Sequence, residues 1–330
     1  MSQKPRDRLS RVKTGASSRY SGAIEESESL RLSQAVHEAA VSWYHRAARD
    51  LPWRRQDCSA WGVLVSETML QQTPVARVLP RWEEWMRRWP TPHETAKAPV
   101  AEILTVWDRL GYPRRALRLQ QTAAAIVEHH DGQVPSTRDE LRALPGVGEY
   151  TAAAVACFAF GVPEVVVDTN IRRVHTRVFS GHALPGKTYT AQQRRLAHDV
   201  FPDPEHDCGQ FACAWNIAVM ELGALVCTAR APQCGACPVA ELCTWRRAGF
   251  PPPTEEQKPR GQAWAGTDRQ VRGALMAALR CGPAQRSVLI ASLPLPAADL
   301  DQRHRCLESL LTDGLAEQRG DQVALPGVLR

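Results

Sequence analysis

The chain has 330 residues, 44% hydrophobic and 23% charged, with a formal net charge of +6. That length allows two or three domains and a sizeable core, and a modest basic excess fits a polyanion partner, because phosphate contacts release counterions. The longest apolar stretch, 152–162, is too short to span a bilayer and is interrupted by Gly161, and the polar N-terminus lacks a signal-peptide core. A cytoplasmic protein without membrane contact is expected; disulfides are disfavoured there, so its ten cysteines need another use.

In chain order, residues 1–28 are rich in Lys, Arg, Ser and Gly without periodicity and read as a disordered basic tail. A helical pattern starts near Leu30 and runs through Ala35, Val36, Ala39 and Tyr44. Segments 61–70, 75–88, 100–110, 115–130, 137–144 and 151–160 are apolar at helical spacing. The only β-branched run, Val165-Val166-Val167, is too short to specify a strand. A Pro-rich, charged linker at 249–264 precedes a small unit, 265–330. In that unit Asp268 could cap a helix bearing Val271, Leu275, Met276 and Leu279, which stops at Gly282-Pro283. A second helix carries Leu300, Cys306, Leu307, Leu310 and Leu311, and a hairpin is expected around Gly320-Asp321. This order resembles a small winged helix.

Four positions carry chemistry. Glu67 is the single acid of its helix, with Val63 and Leu70 on the same stripe. A carboxyl on an apolar face is costly to ionise, so its pKa should rise and it can hold a proton near neutral pH, as a general acid must. For a lone Glu, reaching solvent or an Arg partner is the commoner arrangement. Asp168 precedes Ile171-Arg172-Arg173-Val174 and reads as a helix N-cap, which is compatible with facing a cleft. Leu144-Pro145-Gly146-Val147-Gly148 joins two helices, the first opened by a capping box at Thr137 and Glu140. Its glycines allow a tight turn, and the amides from Val147 to Tyr150 would sit at a helix N-terminus ready for an anion; an ordinary αα-turn would look the same. Cys227, Cys234, Cys237 and Cys243 have the spacing C-x6-C-x2-C-x5-C, close enough to surround one centre, either zinc or an iron–sulfur cluster. A zinc site usually pairs two C-x2-C knuckles and this cluster has one, which leans towards iron–sulfur. Cys58, Cys157, Cys208, Cys213, Cys281 and Cys306 show no ligand pattern and read as small core residues.

The cysteine spacing, following Met220-Glu221-Leu222-Gly223-Ala224, resembles the [4Fe–4S] loop of endonuclease III-type glycosylases, and the Leu-Pro-Gly-Val-Gly turn their helix-hairpin-helix. Ser66-Glu67-Thr68-Met69-Leu70-Gln71-Gln72-Thr73 is similar to the signature of A/G-mismatch adenine glycosylases of the MutY type. The resemblance implies that Glu67 protonates the adenine leaving group and later helps activate water. Asp168 would stabilise positive charge on the sugar, with Asn170 hydrogen-bonding beside it. Gln72 would wedge into the base stack with Gln71 nearby, and Trp53 and Arg54 would line the adenine pocket. Tyr150 stands where bifunctional relatives carry a Schiff-base Lys, so a monofunctional enzyme is implied. Tyr112, in Leu110-Gly111-Tyr112, would insert beside the opposite base. Arg114, Arg115 and Arg118 could touch phosphates. Two letters depart from the family pattern: Thr169 replaces a Gly, and Pro113 a second Tyr.

The implied fold is all-α and two-lobed: a barrel lobe with the helix-hairpin-helix at 52–162, and a cluster lobe from 29–51 plus 163–248, followed by the winged-helix-like unit. The implied function is removal of adenine opposite 8-oxoguanine or guanine in double-stranded DNA, by a monomer carrying a [4Fe–4S] cluster. A T/G or U/G mismatch glycosylase of the same superfamily, and a non-catalytic iron–sulfur DNA-binding module, are the competing readings. The C-terminal unit is smaller than the Nudix-like domain usual in this type.

Overall fold

A long helix, α1 (Ala16–Ala47), comes first in the described part of the chain. The computed structural model describes residues 16–205, 209–258, 264–295 and 299–329, with side chains from residue 28 onward. The expected 28-residue tail is thus corrected: 1–15 lie outside the described residues, but 16–28 belong to α1. From Ala16 to Ala47 there is no proline, and Glu25, Glu26 and Glu28 are good helix formers. Packing of Val36, Ala40 and Val41 nucleates the helix, and extension then costs little.

A 3-10 turn at Pro52–Arg54 leads into the barrel lobe, built from α2 (Ala60–Leu70), α3 (Val75–Arg88), α4 (Pro92–Lys97), α5 (Val100–Trp107), α6 (Arg114–His129), α7 (Arg138–Ala143) and α8 (Glu149–Phe160). Local chemistry sets their starts. Ser59 accepts from the Gly62 amide to cap α2, Thr91 and Glu94 form a capping box with Pro92 at the first helical position of α4, and Thr137 caps α7. The expected helix at 100–110 is divided: α5 ends at Trp107, and Asp108, at φ 43°, turns the chain into a 3-10 segment through Leu110. Helices α2 and α8 pack along one another and are buried almost all round, the mark of central helices.

The cluster lobe gathers α1, α9 (Thr169–Val178), α11 (Gln210–Leu225) and α12 (Thr244–Arg247), with α10 (Ala191–Asp199) against α9. Val165 to Val167 pair with no strand among the described residues; Val166 is buried and its amide donates to Asn216 Oδ1. Gly223 on α11 is required by close approach: a Cβ there would lie 2.7 Å from Asn170 Cβ. One face of α8 (Ala152, Val155, Ala156) belongs to the barrel core, the other (Ala153, Ala154, Cys157) to the cluster-lobe core.

The C-terminal unit contains α13 (Asp268–Leu279), β1 (Ala284–Gln285), α14 (Arg286–Ala291), α15 (Leu300–Thr312), β2 (Glu317–Arg319) and β3 (Gln322–Ala324), with β3 between β1 and β2 and both pairings antiparallel. This is the winged-helix order. Sequence pattern missed α14 and β1, which are short, and misplaced the cap: Thr267, not Asp268, accepts from the Gln270 amide. It also overran the end of α13, which stops at Leu279. The unit is not hung loosely on the linker. Its apolar residues join the barrel core in one cluster, and Arg280 donates to the carbonyls of Leu104 and Asp108.

Candidate active site and iron–sulfur segment

Glu67 projects from the last turns of α2 and is 5% exposed. Tyr150, at the start of α8, donates its phenol to Glu67 Oε2 at 2.9 Å. Burial lifts the Glu67 pKa from 4.5 to about 7; the Tyr150 hydrogen bond opposes the rise, and the negative charge of Asp168 adds to it. Burial, then the nearby charges of Glu67 and Asp168, push the Tyr150 phenol well above its ordinary value. Both carboxyl charges therefore act on the same phenol.

Asp168 caps α9, its Oδ1 accepting from the Ile171 amide at 2.7 Å and its Oδ2 from Asn170 Nδ2 at 2.8 Å. Burial raises its pKa, while those bonds and Arg173 favour the ionised form. Arg173 donates to Asn170 Oδ1 at 2.8 Å and to the carbonyls of Gly223 and Cys227, each at 2.7 Å. Thr169 is the exposed first residue of α9 and does not have a positive φ, so a side chain is tolerated where relatives have Gly.

Arg54 reaches the same site from the Pro52–Arg54 turn: its positive charge acts on both Glu67 and Tyr150. It is held by Glu221, which accepts from Arg54 at 2.9 Å and from Arg49 at 2.7 and 2.6 Å. Burial of Glu221 opposes ionisation, but the two guanidiniums hold its pKa down to about 2. Trp53 is buried, edge-on to Trp82 with centroids 5.7 Å apart. Glu221 and Arg173 were missed as functional residues. Their spacing to Arg54 and Asp168 along the chain gives no cue, although each sits inside a motif already singled out.

Beside the carboxyls lie three exposed turns. In the hairpin, Gly146 has φ +79°, and a Cβ there would come within 3.0 Å of Arg118. Gly148 caps α8 without a side-chain hydrogen bond, which leaves first-turn amides for an anion; Val147 is half-buried. Glu149 is neutralised by Arg138 and Arg142 at 2.6 Å. Gln71 reaches Thr151 Oγ1 at 3.4 Å, and Gln72 is exposed with φ 56°. Tyr112 is 44% exposed with φ 47°. Positive φ is costly for residues other than glycine and clusters where backbone is held for a task.

Arg115 corrects one expectation. It is buried, and it donates to the carbonyls of Thr68, Gln71, Leu110 and Gly111 at 2.7–3.1 Å and to Thr73 Oγ1 at 3.2 Å. It therefore ties the Gln72 turn to the Tyr112 turn; its remaining donor, Nε, is buried without a partner and cannot reach phosphate. Arg114 pairs with Asp313 at 3.5 Å, and Arg118 is exposed beneath the hairpin.

Cys227, Cys234, Cys237 and Cys243 line one cavity with Val174, Arg177, Leu222 and Trp245. The donor set fits an iron–sulfur cluster: four thiols converge, and Arg177 places Nη1 3.2 Å from Cys227 Sγ, a cation beside sulfurs that must ionise. Among the remaining cysteines, Cys281 is exposed because α13 ends before it, and Cys208 lies outside the described residues.

Comparison with known proteins places these features. Residues 65–198 match the HhH-GPD superfamily of base excision DNA repair proteins, and residues 227–243, which begin and end on cysteines, match the iron–sulfur binding domain of endonuclease III. The chain is 50% identical over 291 residues to the adenine DNA glycosylase of Mycolicibacterium smegmatis, covering 87% of this chain and 94% of that protein. A match that long cannot end at residue 248, so it includes part of the C-terminal unit. Among solved structures, a thermostable thymine-DNA glycosylase superposes with a TM-score of 0.58 at 27% identity, covering 66% of this chain and 98% of that one. A trapped endonuclease III–DNA covalent intermediate gives 0.55 at 25%, covering 65% and 95%. The protein carries a [4Fe–4S] cluster and acts on DNA. With half of the aligned residues identical to those of an adenine DNA glycosylase across 87% of this chain and 94% of that protein, it belongs to the adenine DNA glycosylase family within the HhH-GPD superfamily.

Proposed function

We propose that this chain is a monofunctional glycosylase that removes adenine standing opposite guanine or 8-oxoguanine in duplex DNA. The observation that carries the reading is the Tyr150–Glu67 hydrogen bond of 2.9 Å with the Asp168 charge acting on both residues. The target base must leave the stack, because its glycosidic carbon is unreachable within a duplex. Glu67, protonated near neutral pH, donates to N7 of the extruded adenine as the bond from C1′ to N9 breaks and its electron pair leaves with the base. Asp168, ionised and oriented by Asn170 and Ile171, stabilises the positive charge left on the sugar, the same division of labour between two carboxyls as in glycoside hydrolysis. Glu67, now ionised, takes a proton from the water that adds to C1′. Tyr150 fixes the Glu67 carboxyl and shields the sugar; a phenol forms no imine, so the strand is not cut.

Arg54 holds the pocket charge beside Glu67, with Trp53 behind it. Gln71, Gln72 and Tyr112 occupy the gap left in the duplex, and Gly146 and Gly148 offer amides to phosphate, while the Val147 amide closes the turn on the Leu144 carbonyl at 3.2 Å. Cys227, Cys234, Cys237 and Cys243 would hold the cluster, which when bound orders the loop structurally. The chain works as a monomer on the mispair, in the cytoplasm.

A panel of duplexes with A, T, U or C opposite G or 8-oxoguanine tests this. Strand breaks are expected only after heat and alkali, only at A, and not with Glu67→Gln. Scission without alkali would defeat the monofunctional assignment, and release of T or U would defeat the adenine one. About four irons per chain are expected; stoichiometric zinc would overturn the ligand assignment.

A further inference from the structure

Tyr112 does not stand alone at its turn. The Arg269 guanidinium from α13 lies over its ring, 5.0 Å from the centroid, and over the Trp264 ring at 5.2 Å. Trp264 is 53% exposed and Tyr112 44%, and Arg269 is exposed too. Two aromatic faces and one planar cation thus form a ladder across the boundary between the C-terminal unit and the barrel lobe. This arrangement is poorly explained as glue between the units. Arg280 on the carbonyls of Leu104 and Asp108, together with the shared apolar core, already fixes that junction, and an exposed cation–π contact adds only about 0.5–1 kcal/mol. Large exposed aromatics beside arginine are instead the groups on which nucleobases stack.

We propose that the C-terminal unit is a second DNA-contacting element, and that Trp264 and Arg269 engage the strand opposite the extruded nucleotide, where Tyr112 enters the duplex. The inference rests on the assignment of Tyr112 to that insertion. Three features agree with it. The ladder is continuous with the Tyr112 turn, so a duplex seated on that turn meets Trp264 and Arg269 without any movement of the unit. Arg115 fixes the turn from beneath, its own guanidinium 5.8 Å from the Tyr112 ring, so the exposed ring is presented in one orientation. Arg269, in contact with both rings, keeps its donors at the plane's edge for base edges or phosphate.

The test uses the full holoenzyme and a duplex in which an uncleavable adenine analogue stands opposite guanine, so binding is read whether or not excision occurs. Trp264→Ala and Arg269→Ala should each weaken binding about tenfold, the size expected for one lost base-stacking contact. Arg269→Lys, which keeps the charge but not the plane, should recover only part of the loss. Hydroxyl-radical protection of the strand opposite the analogue should disappear in the double variant while protection of the analogue strand persists. Affinity within twofold of wild type, or unchanged protection of the opposite strand, overturns the proposal. Excision of adenine by wild-type protein on the cleavable duplex is scored separately, so failure of the proposed ladder is distinct from failure of the adenine reading. A melting temperature within a few degrees of wild type, the size of a lost exposed cation–π contact, confirms that the substitutions leave the fold intact.

Discussion

Substituting Glu67 by Gln removes a charge that the fold holds only at a cost. The Glu67 pKa stands at about 7 in the folded chain against an ordinary 4.5. At pH values below the ordinary one, folded and unfolded states are protonated alike, and the site costs nothing. As pH rises from 4.5 to about 7, the unfolded chain ionises first and stability is lost; above that range both states are ionised and the loss is complete. At about 1.4 kcal/mol per pH unit, the full rise amounts to about 3 kcal/mol. Gln keeps the volume and still accepts from Tyr150. Glu67→Gln should therefore unfold at higher urea concentration than wild type, by about 1 kcal/mol at pH 5 and about 3 kcal/mol at pH 8. The measurement is urea denaturation followed by Trp fluorescence at both pH values, with visible absorbance confirming that the cluster is retained. An advantage of equal size at pH 5 and pH 8 would refute the reasoning, because a gain from packing alone does not titrate.

The same carboxyl should give single-turnover excision an alkaline limb near pH 7, and Tyr150→Phe should move that limb upward, since the lost hydrogen bond favoured the ionised form. Glu221→Gln leaves the partly buried Arg49 and Arg54 against a buried neutral partner. It should cost about 3 kcal/mol at neutral pH by urea denaturation, a deficit that shrinks as pH falls from the ordinary carboxyl value of 4.5 towards 2, where wild-type Glu221 itself protonates. Arg115→Lys cannot bridge two turns with one ammonium; a loss of about 2 kcal/mol is expected in thermal melts, with weaker duplex binding. Asn170→Ala should slow excision more than tenfold at unchanged duplex affinity, measured by anisotropy, because it frees Asp168 Oδ2 without touching the hairpin.

Much of this was legible because the signals are local. Helices α2, α3, α6 and α8 follow from apolar spacing, the Asp168 cap from its position before Ile171, and the cysteine segment from spacing alone. The pKa of Glu67 could be anticipated from Val63 and Leu70 on its stripe, though not the phenol that meets it. The rest depended on residues far apart in the chain. Arg49 and Arg54 meet Glu221 across more than 160 positions, and nothing local marks Glu221 as their partner. Arg115 looked like one more surface charge in a run of arginines; only the fold reveals the six acceptors gathered around it. The start of α1 was misjudged for the opposite reason: composition argued against order, while packing further along the same helix imposed it.

Because α8 contributes one face to each lobe's core, the two lobes cannot swing apart without unpacking a helix that is buried almost all round. The cleft is therefore close to its final width before DNA arrives, and little of the adjustment needed for capture can come from the protein. The strain of bending and unstacking falls on the duplex, where it is smallest at steps already weakened by a poor pair. A rigid scaffold of this kind screens for deformable DNA before any chemical group on the base is read.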